Sequence, residues 1–597
     1  MSNLELGVIG NCQIAVLVDQ MGRYVWGSFP RMDSDPFFCT LLDPKEQEGP
    51  LGCFDIELMN FESAEQSYVE NTAILETILR DDRGGVLKIV DFAPRYNLFG
   101  RSFHPIMAIR NIIPVAGSPV VRINLRPAAK YGSRPATRTY GSNHIRFDNG
   151  DYTLRLTTNV PISTILDGNS FIVEHSMALI LGPDESVPDD PVKTCREMYG
   201  ETKNYWQGWS RALSIPFEWQ REVIRAAITL KLCTFEDTGA VLAAHTTSVP
   251  EAANSGRNWD YRYCWLRDSY YTVQALNRLG ATRTMKEFLR YLFNLIAEFE
   301  NDHEELQPVY GISGLAELTE SQVESLEGYR GMGPVRIGND AYRQVQNDVY
   351  GAVVLASTQS FFDKRLVEYG SAEEFARLEK LGQQAARLHD QPDAGIWEFR
   401  GREEVHTYSS IMCWAACDRL ARIATELGIE DRADHWAQTA TTIRETILKE
   451  AWSEERGSFV SAFGGSDLDA SLLIMTDVGF IDPQDSRFLA TLGAIEKELK
   501  QGPYMFRYNN ADDFGLPETA FNVCTFWYIN ALAAVGRNEE ARELFENMLA
   551  RRNALGLLSE DLDPKSGELW GNFPQTYSMV GIIMGAMRLS QSWEEAL

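Results

Sequence analysis

Two glutamates stand 162 residues apart in segments of similar build, Gly395-Ile396-Trp397-Glu398 and Leu557-Leu558-Ser559-Glu560-Asp561. Each lies just outside a helical pattern, beside an aromatic ring or a hydroxyl. A carboxylic acid and a carboxylate facing each other across a pocket can protonate a leaving oxygen and deprotonate a water. That is the chemistry of inverting glycosidic hydrolysis when the two carboxyls stand roughly 6.5–9.5 Å apart. Trp397 is expected to wall Glu398 and favour its neutral form, while Ser559 and open solvent are expected to keep Glu560 ionised. Taken singly, each pair has a plainer use. Trp397-Glu398 is a buried ring beside a charge at a helix start, Ser559-Glu560 a capping turn, and Arg267-Asp268 a salt bridge plus an N-cap.

Positioning such groups requires a large scaffold, and 597 residues make two large domains the natural expectation. Residues 1–200 read as β structure. Segments 14–18 and 24–29, 75–80 and 86–92, and 145–147 and 152–156 alternate apolar with polar residues around polar, glycine-bearing turns, as hairpins of an antiparallel β-sandwich do. A polar bridge, Pro183 to Pro191, precedes a helical linker assigned to 201–216. Residues 217–597 change to a period of 3.6 with twelve helical patterns: 217–234, 268–280, 282–300, 343–363, 372–389, 408–427, 431–450, 467–478, 487–500, 517–535, 538–552 and 575–592. Short turns alternate with long polar loops, so six helical hairpins closed into a ring, an (α/α)6 barrel, are expected. Five loops before even-numbered patterns hold the unusual residues: Asn258 to Asp268, Gly328 to Arg336, Trp397-Glu398, Phe506-Arg507-Tyr508 and Ser559-Glu560. A ring would bring all five to one mouth.

Composition removes other classes. Lys+Arg 56 against Asp+Glu 84 gives a net charge of −28, which repels a phosphate backbone and argues against nucleic acid. The opening residues carry no basic and apolar leader pattern and no uncharged run reaches spanning length, so a cytoplasmic protein without a membrane partner is expected. Nine scattered cysteines lack a Cys-x-x-Cys pair, so neither a disulfide framework nor a metal site is expected. Cys413 and Cys417 read as core residues, and His406 as a hydrogen-bonded loop histidine.

At Tyr261-x-x-x-Trp265-x-Arg267-Asp268-Ser269, Gly395 to Glu398, Arg507-Tyr508 and Ser559-Glu560 the chain resembles glycoside hydrolase family 15, the glucoamylase and bacterial trehalase-like group. The opening Val8 to Cys12 and Trp26 to Ser34 resembles the N-terminal β domain of its bacterial members. The resemblance implies Glu398 as general acid, Glu560 as general base, Arg267 and Asp268 as the grip on the terminal glucose, Tyr261 and Trp265 as aromatics of that subsite, and Arg507 as a substrate-binding arginine, with Trp397 beside the acid a further substrate-binding candidate. Physically, Arg267 and Asp268 offer paired donors and acceptors to hydroxyls, and the rings can stack on a pyranose. Phe399 departs from the second glutamate of fungal glucoamylases, at a position that serves recognition of the leaving group.

The resemblance thus implies an exo-acting, inverting α-glucoside hydrolase releasing β-glucose without metal or organic cofactor. Glucoamylase-type release from the non-reducing end of α-glucans or small α-glucosides is the leading expectation, with α,α-trehalase or isomaltose/dextran glucosidase activity as the alternative. Two other classes compete. An inverting phosphorylase shares the architecture but dispenses with a base such as Glu560, and a non-catalytic sugar sensor does not need both glutamates.

Overall fold

The computed structural model describes residues 3–43, 50–302, 305–366 and 370–596. The N-terminal part is a sandwich of two antiparallel sheets. The first runs Leu6–Gly10, Ala15–Asp19, Tyr24–Ser28, Cys53–Leu58, Val120–Arg126 and Phe171–Ile172, with Pro36–Phe38 alongside the third strand. The second, eight-stranded, runs Thr137–Tyr140, His144–Asp148, Thr153–Thr158, Met177–Gly182, Ala108–Ala116, Val86–Phe92, Leu75–Asp81 and Phe61–Tyr68. Period-two alternation sends Leu75, Thr77 and Leu79 inward, where Leu79, Ile89 and Leu181 meet Val18, Ile56 and Ile123 of the other sheet in one core.

A short helix, α1 (Ile162–Asp167), lies within the sandwich part. The connector is α2 (Pro191–Arg211), started by Asp190, whose carboxylate accepts from the Lys193 N–H, and by Pro191 in the first turn. The barrel helices follow: α3 (Gln220–Leu232), α4 (Leu266–Arg278), α5 (Thr282–Asp302), α6 (Asp348–Phe362), α7 (Ala372–Leu388), α8 (Thr407–Glu426), α9 (Glu430–Glu450), α10 (Ser486–Leu499), α11 (Asn522–Ala534), α12 (Asn538–Ala550) and α13 (Thr576–Leu589). Between α9 and α10 stands a 3-10 helix, Ala470–Met475.

Contacts run α4 to α6, α6 to α8, α8 to the 3-10 helix, on to α11, α13 and back to α4, so six elements close an inner ring. The expected (α/α)6 barrel is what forms. Helices α6, α11 and α13 are apolar nearly all round because both their faces are buried, whereas the outer α7 buries one stripe, Phe375, Leu378, Leu381, Ala385 and Leu388. Gly351 permits the close approach of α6 and α8: a Cβ there would lie 2.2 Å from the Met412 carbonyl oxygen.

Two expectations are corrected. The pattern at 467–478 is only the six-residue 3-10 turn, because Ala470–Met475 is buried on every side and offers no solvent stripe by which apolar content could mark an α-helix. The patterns at 343–363 and 517–535 begin late, at Asp348 and Asn522, because a 3-10 turn, Asp340–Arg343, and an extended Gln344 precede the first and the strand Ala520–Phe521 precedes the second.

The sandwich docks on the barrel through buried polar groups. Arg95 donates to the Asn11 carbonyl at 2.6 Å and to the Glu236 carboxylate, which Lys231 also reaches at 3.3 Å. Although burial opposes ionisation, Lys231 and Arg95 hold the Glu236 carboxyl down to about 2.

Candidate active site

One segment organises the pocket. Cys264–Trp265 pairs with Val309–Tyr310 and passes directly into α4, so Tyr261, Trp265, Arg267 and Asp268 follow one another down the wall. The rings of Tyr261 and Trp265 pack edge to face at 5.2 Å. From there the Tyr261 hydroxyl donates to Glu560 Oε1 at 2.6 Å and the Trp265 indole N–H donates to Glu398 Oε1 at 2.6 Å. Both glutamates therefore face one cavity, of about 920 Å³ including its open mouth, and each is held by a neighbour from the same segment. All eight residues singled out from sequence, Glu398, Glu560, Tyr261, Trp265, Arg267, Asp268, Trp397 and Arg507, line it.

Glu398 occupies the left-handed region with φ 60, a costly conformation for a residue with a side chain and one that concentrates at functional sites. Gly395, φ 68, begins the turn, and Asp393 anchors it by accepting from the Asn347 N–H at 2.8 Å and the Ser409 hydroxyl at 2.7 Å. Arg267 bridges Asp348 and Glu398, at 3.3 Å to each, and donates to Gln346 at 2.8 Å. The surroundings of Glu398 differ from expectation. Its partners are polar, Trp265, Arg267 and Gln346, while Trp397 turns its indole N–H away to Asp469 at 2.6 Å.

Glu560 departs further. It sits beside the three-stranded sheet Ala520–Phe521, Asp561–Leu562 and Leu569–Trp570, close against Gly571, where a Cβ would lie 2.6 Å from that of Glu560. Ser559 donates to the Asp561 carbonyl at 2.8 Å and not to the carboxylate. Far from open solvent, Glu560 is buried; that burial, then the charges of Glu251 and Asp561, push its pKa well up despite Tyr261 and Arg507. Its Oε2 has no hydrogen-bond partner among the described residues. Asp561 is likewise pushed up, to about 8, and Asp268 to about 7, in both cases first by burial.

Sequence reading missed Glu251. It accepts from Arg507 at 2.6 Å and from the Trp259 indole at 3.2 Å, and thus positions Arg507 beside Glu560. Nothing in its local sequence marks it. The loop Gly328 to Arg336 does not itself line the cavity among the described residues but stands beside it, with Asn258 donating to the carbonyls of Met332 (2.8 Å) and Pro334 (3.0 Å). The sandwich also supports from behind, through Arg262, which donates to the Ser34 carbonyl at 3.1 Å and the Tyr131 hydroxyl at 3.1 Å. His406 packs against Phe399, and burial lowers its pKa to about 4, so it stands as a neutral structural residue.

Aromatic walls, the buried Arg267 and Asp268 and the two glutamates thus share one cavity at the barrel mouth. The family described as Glycosyl hydrolases family 15 matches residues 220–586. A protein named Trehalase from Thermoplasma volcanium is 31% identical over 599 residues, covering 98% of this chain and 93% of the relative. One of the same name from Mycobacterium tuberculosis is 30% identical, covering 99% and 90%. A crystal structure of a bacterial glucoamylase complexed with acarbose shares the fold, with a TM-score of 0.68 over 98% of this chain and 93% of that one at 14% identity. The chain belongs to glycosyl hydrolase family 15.

Proposed function

We propose that this enzyme hydrolyses an α-glucoside by a single inverting displacement and that α,α-trehalose is its substrate. The observation that carries the mechanism is the pair of 2.6 Å hydrogen bonds by which Tyr261 and Trp265 aim Glu560 and Glu398 into one cavity. In this reading Glu398 protonates the glycosidic oxygen. Glu560, through its unpartnered Oε2, deprotonates a water that attacks the anomeric carbon from the opposite face. Arg267 and Asp268, at the cavity floor, grip the hydroxyls of the glucose whose bond breaks, and Trp397 and Arg507 complete its walls. The choice of trehalose over α-glucans is supported by likeness along nearly the whole chain to proteins named Trehalase. Release of glucose from trehalose, maltose and isomaltose assayed side by side tests it: trehalose is expected to be cleaved fastest, and rapid cleavage of maltose with none of trehalose contradicts it.

The grip has its own consequence. Arg267→Ala removes the bridge between Asp348 and Glu398 as well as a contact to sugar, so both a higher KM and a lower kcat are expected, with kcat/KM down on the order of a hundredfold. Asp268→Ala is expected to act in the same direction. Steady-state kinetics on trehalose checks both, and wild-type constants for both variants would return the pair to a purely structural role.

A further inference from the structure

Four loops are locked together at the cavity, where Trp259, Arg400, Asp512 and Asp513 form part of its wall. Glu320 takes two guanidiniums, Arg400 at 2.7 and 3.3 Å and Arg336 at 3.3 Å. Both guanidiniums lie over the ring of Trp259, at 4.4 and 4.8 Å from its centroid. Asp513, from the loop before α11, accepts from the backbone N–H of Arg400 at 2.7 Å and of Gly401 at 3.3 Å. Its neighbour Asp512 holds Arg257 through two bonds, 2.5 and 2.6 Å, and Phe514 packs edge-on against Trp259 at 5.2 Å. The loops leading to α4, α6, α8 and α11 are thereby tied into one ring of contacts.

The position of this ring matters. Arg400 follows the candidate acid by two residues, and an acid that protonates the glycosidic oxygen has the leaving group on its outer side. Ion pairs at an exposed rim contribute little to stability, but these are mostly buried, with Glu320 and Arg336 12% and 11% exposed and Asp512 and Arg257 6% and 7%. A connected set that fixes two backbone amides and clamps an aromatic ring instead holds a shape.

We propose that this clasp, centred on Glu320, Arg400 and Asp513, closes the leaving-group side of the pocket and restricts the substrate to a single sugar residue beyond the scissile bond. The proposal rests on Glu398 being the acid of a glucosidase. It gives the site a disaccharide preference independent of the linkage.

The experiment compares kcat/KM for trehalose, maltose and maltotriose in the wild type, Glu320→Ala, Asp513→Ala and Asp513→Asn, with thermal midpoints measured alongside. Maltose and maltotriose share one linkage, and the wild type is expected to favour maltose over maltotriose by on the order of tenfold or more. Glu320→Ala and Asp513→Ala are expected to raise the maltotriose-to-maltose ratio by about tenfold, while Asp513→Asn, which keeps an oxygen for the two amides, retains the wild-type ratio. The two alanine variants lie on different loops, so failure of one to fold leaves the other as the test. A wild type that cleaves maltotriose as readily as disaccharides, or variants in which both rates fall by one factor, overturns the clasp. A wild type that cleaves maltose and ignores trehalose removes the trehalose assignment, and the chain-length ratio still decides on the clasp.

Discussion

Replacing Glu560 by Gln is expected to lower kcat on trehalose by on the order of 10²–10⁴ with little change in folding. The amide keeps the shape and can still accept from the Tyr261 hydroxyl, but it offers no basic oxygen to water. The same residue sets the acid limb of the pH profile. A base must be ionised to act, and burial together with Glu251 and Asp561 raises the pKa of Glu560. As pH falls through that raised value the base is protonated, so kcat/KM is expected to decline at a pH above the ordinary glutamate value of about 4.3. Glu251→Gln removes a nearby negative charge and is expected to move that limb downward by on the order of one unit, with a rise in KM as Arg507 loses its partner. An unchanged limb in this variant would separate Glu251 from the base.

Replacing Glu398 by Gln is expected to be comparably damaging for trehalose, on the order of 10²–10⁴ in kcat, because a sugar alkoxide leaves slowly without a proton. The loss should depend on the leaving group. α-Glucosyl fluoride departs as fluoride and needs little protonation, so the variant should retain most of its activity on that substrate, whereas Glu560→Gln should lose activity on both. If Glu398→Gln lost both substrates equally, Glu398 would be a positioning residue held in its turn by Trp265 and Arg267, and the acid would lie elsewhere.

Much of this arrangement was legible in residue order because its causes are local. Alternation in 75–80 and 86–92 marks a hairpin, and the nearly all-apolar surfaces of α11 and α13 mark elements buried on most sides. Six of the eight pocket residues stand before inner helices whose places follow from counting, and Arg267 and Asp268 open one of them, α4. What escaped was set by distant partners. The state of Glu560 depends first on its burial in the fold and then on charges such as Glu251 and Arg507, which lie far from it in sequence, and Ser559 beside it serves the backbone of Asp561. Trp397 adjoins Glu398 along the chain, yet its polar edge serves Asp469. Asp512 and Asp513 look like an ordinary solvated pair until Arg257 and the amides of Arg400 and Gly401 are folded against them.

The most direct test of a single inverting displacement is proton NMR of trehalose hydrolysis during its first minutes, before mutarotation. Water attacking opposite the departing oxygen makes one glucose β, while the departing glucose keeps its α configuration, so α- and β-glucose are expected to appear initially in equal amounts. Appearance of α-glucose alone would mean retention at the attacked carbon, and would contradict Glu398 and Glu560 acting as acid and base on opposite faces of the sugar.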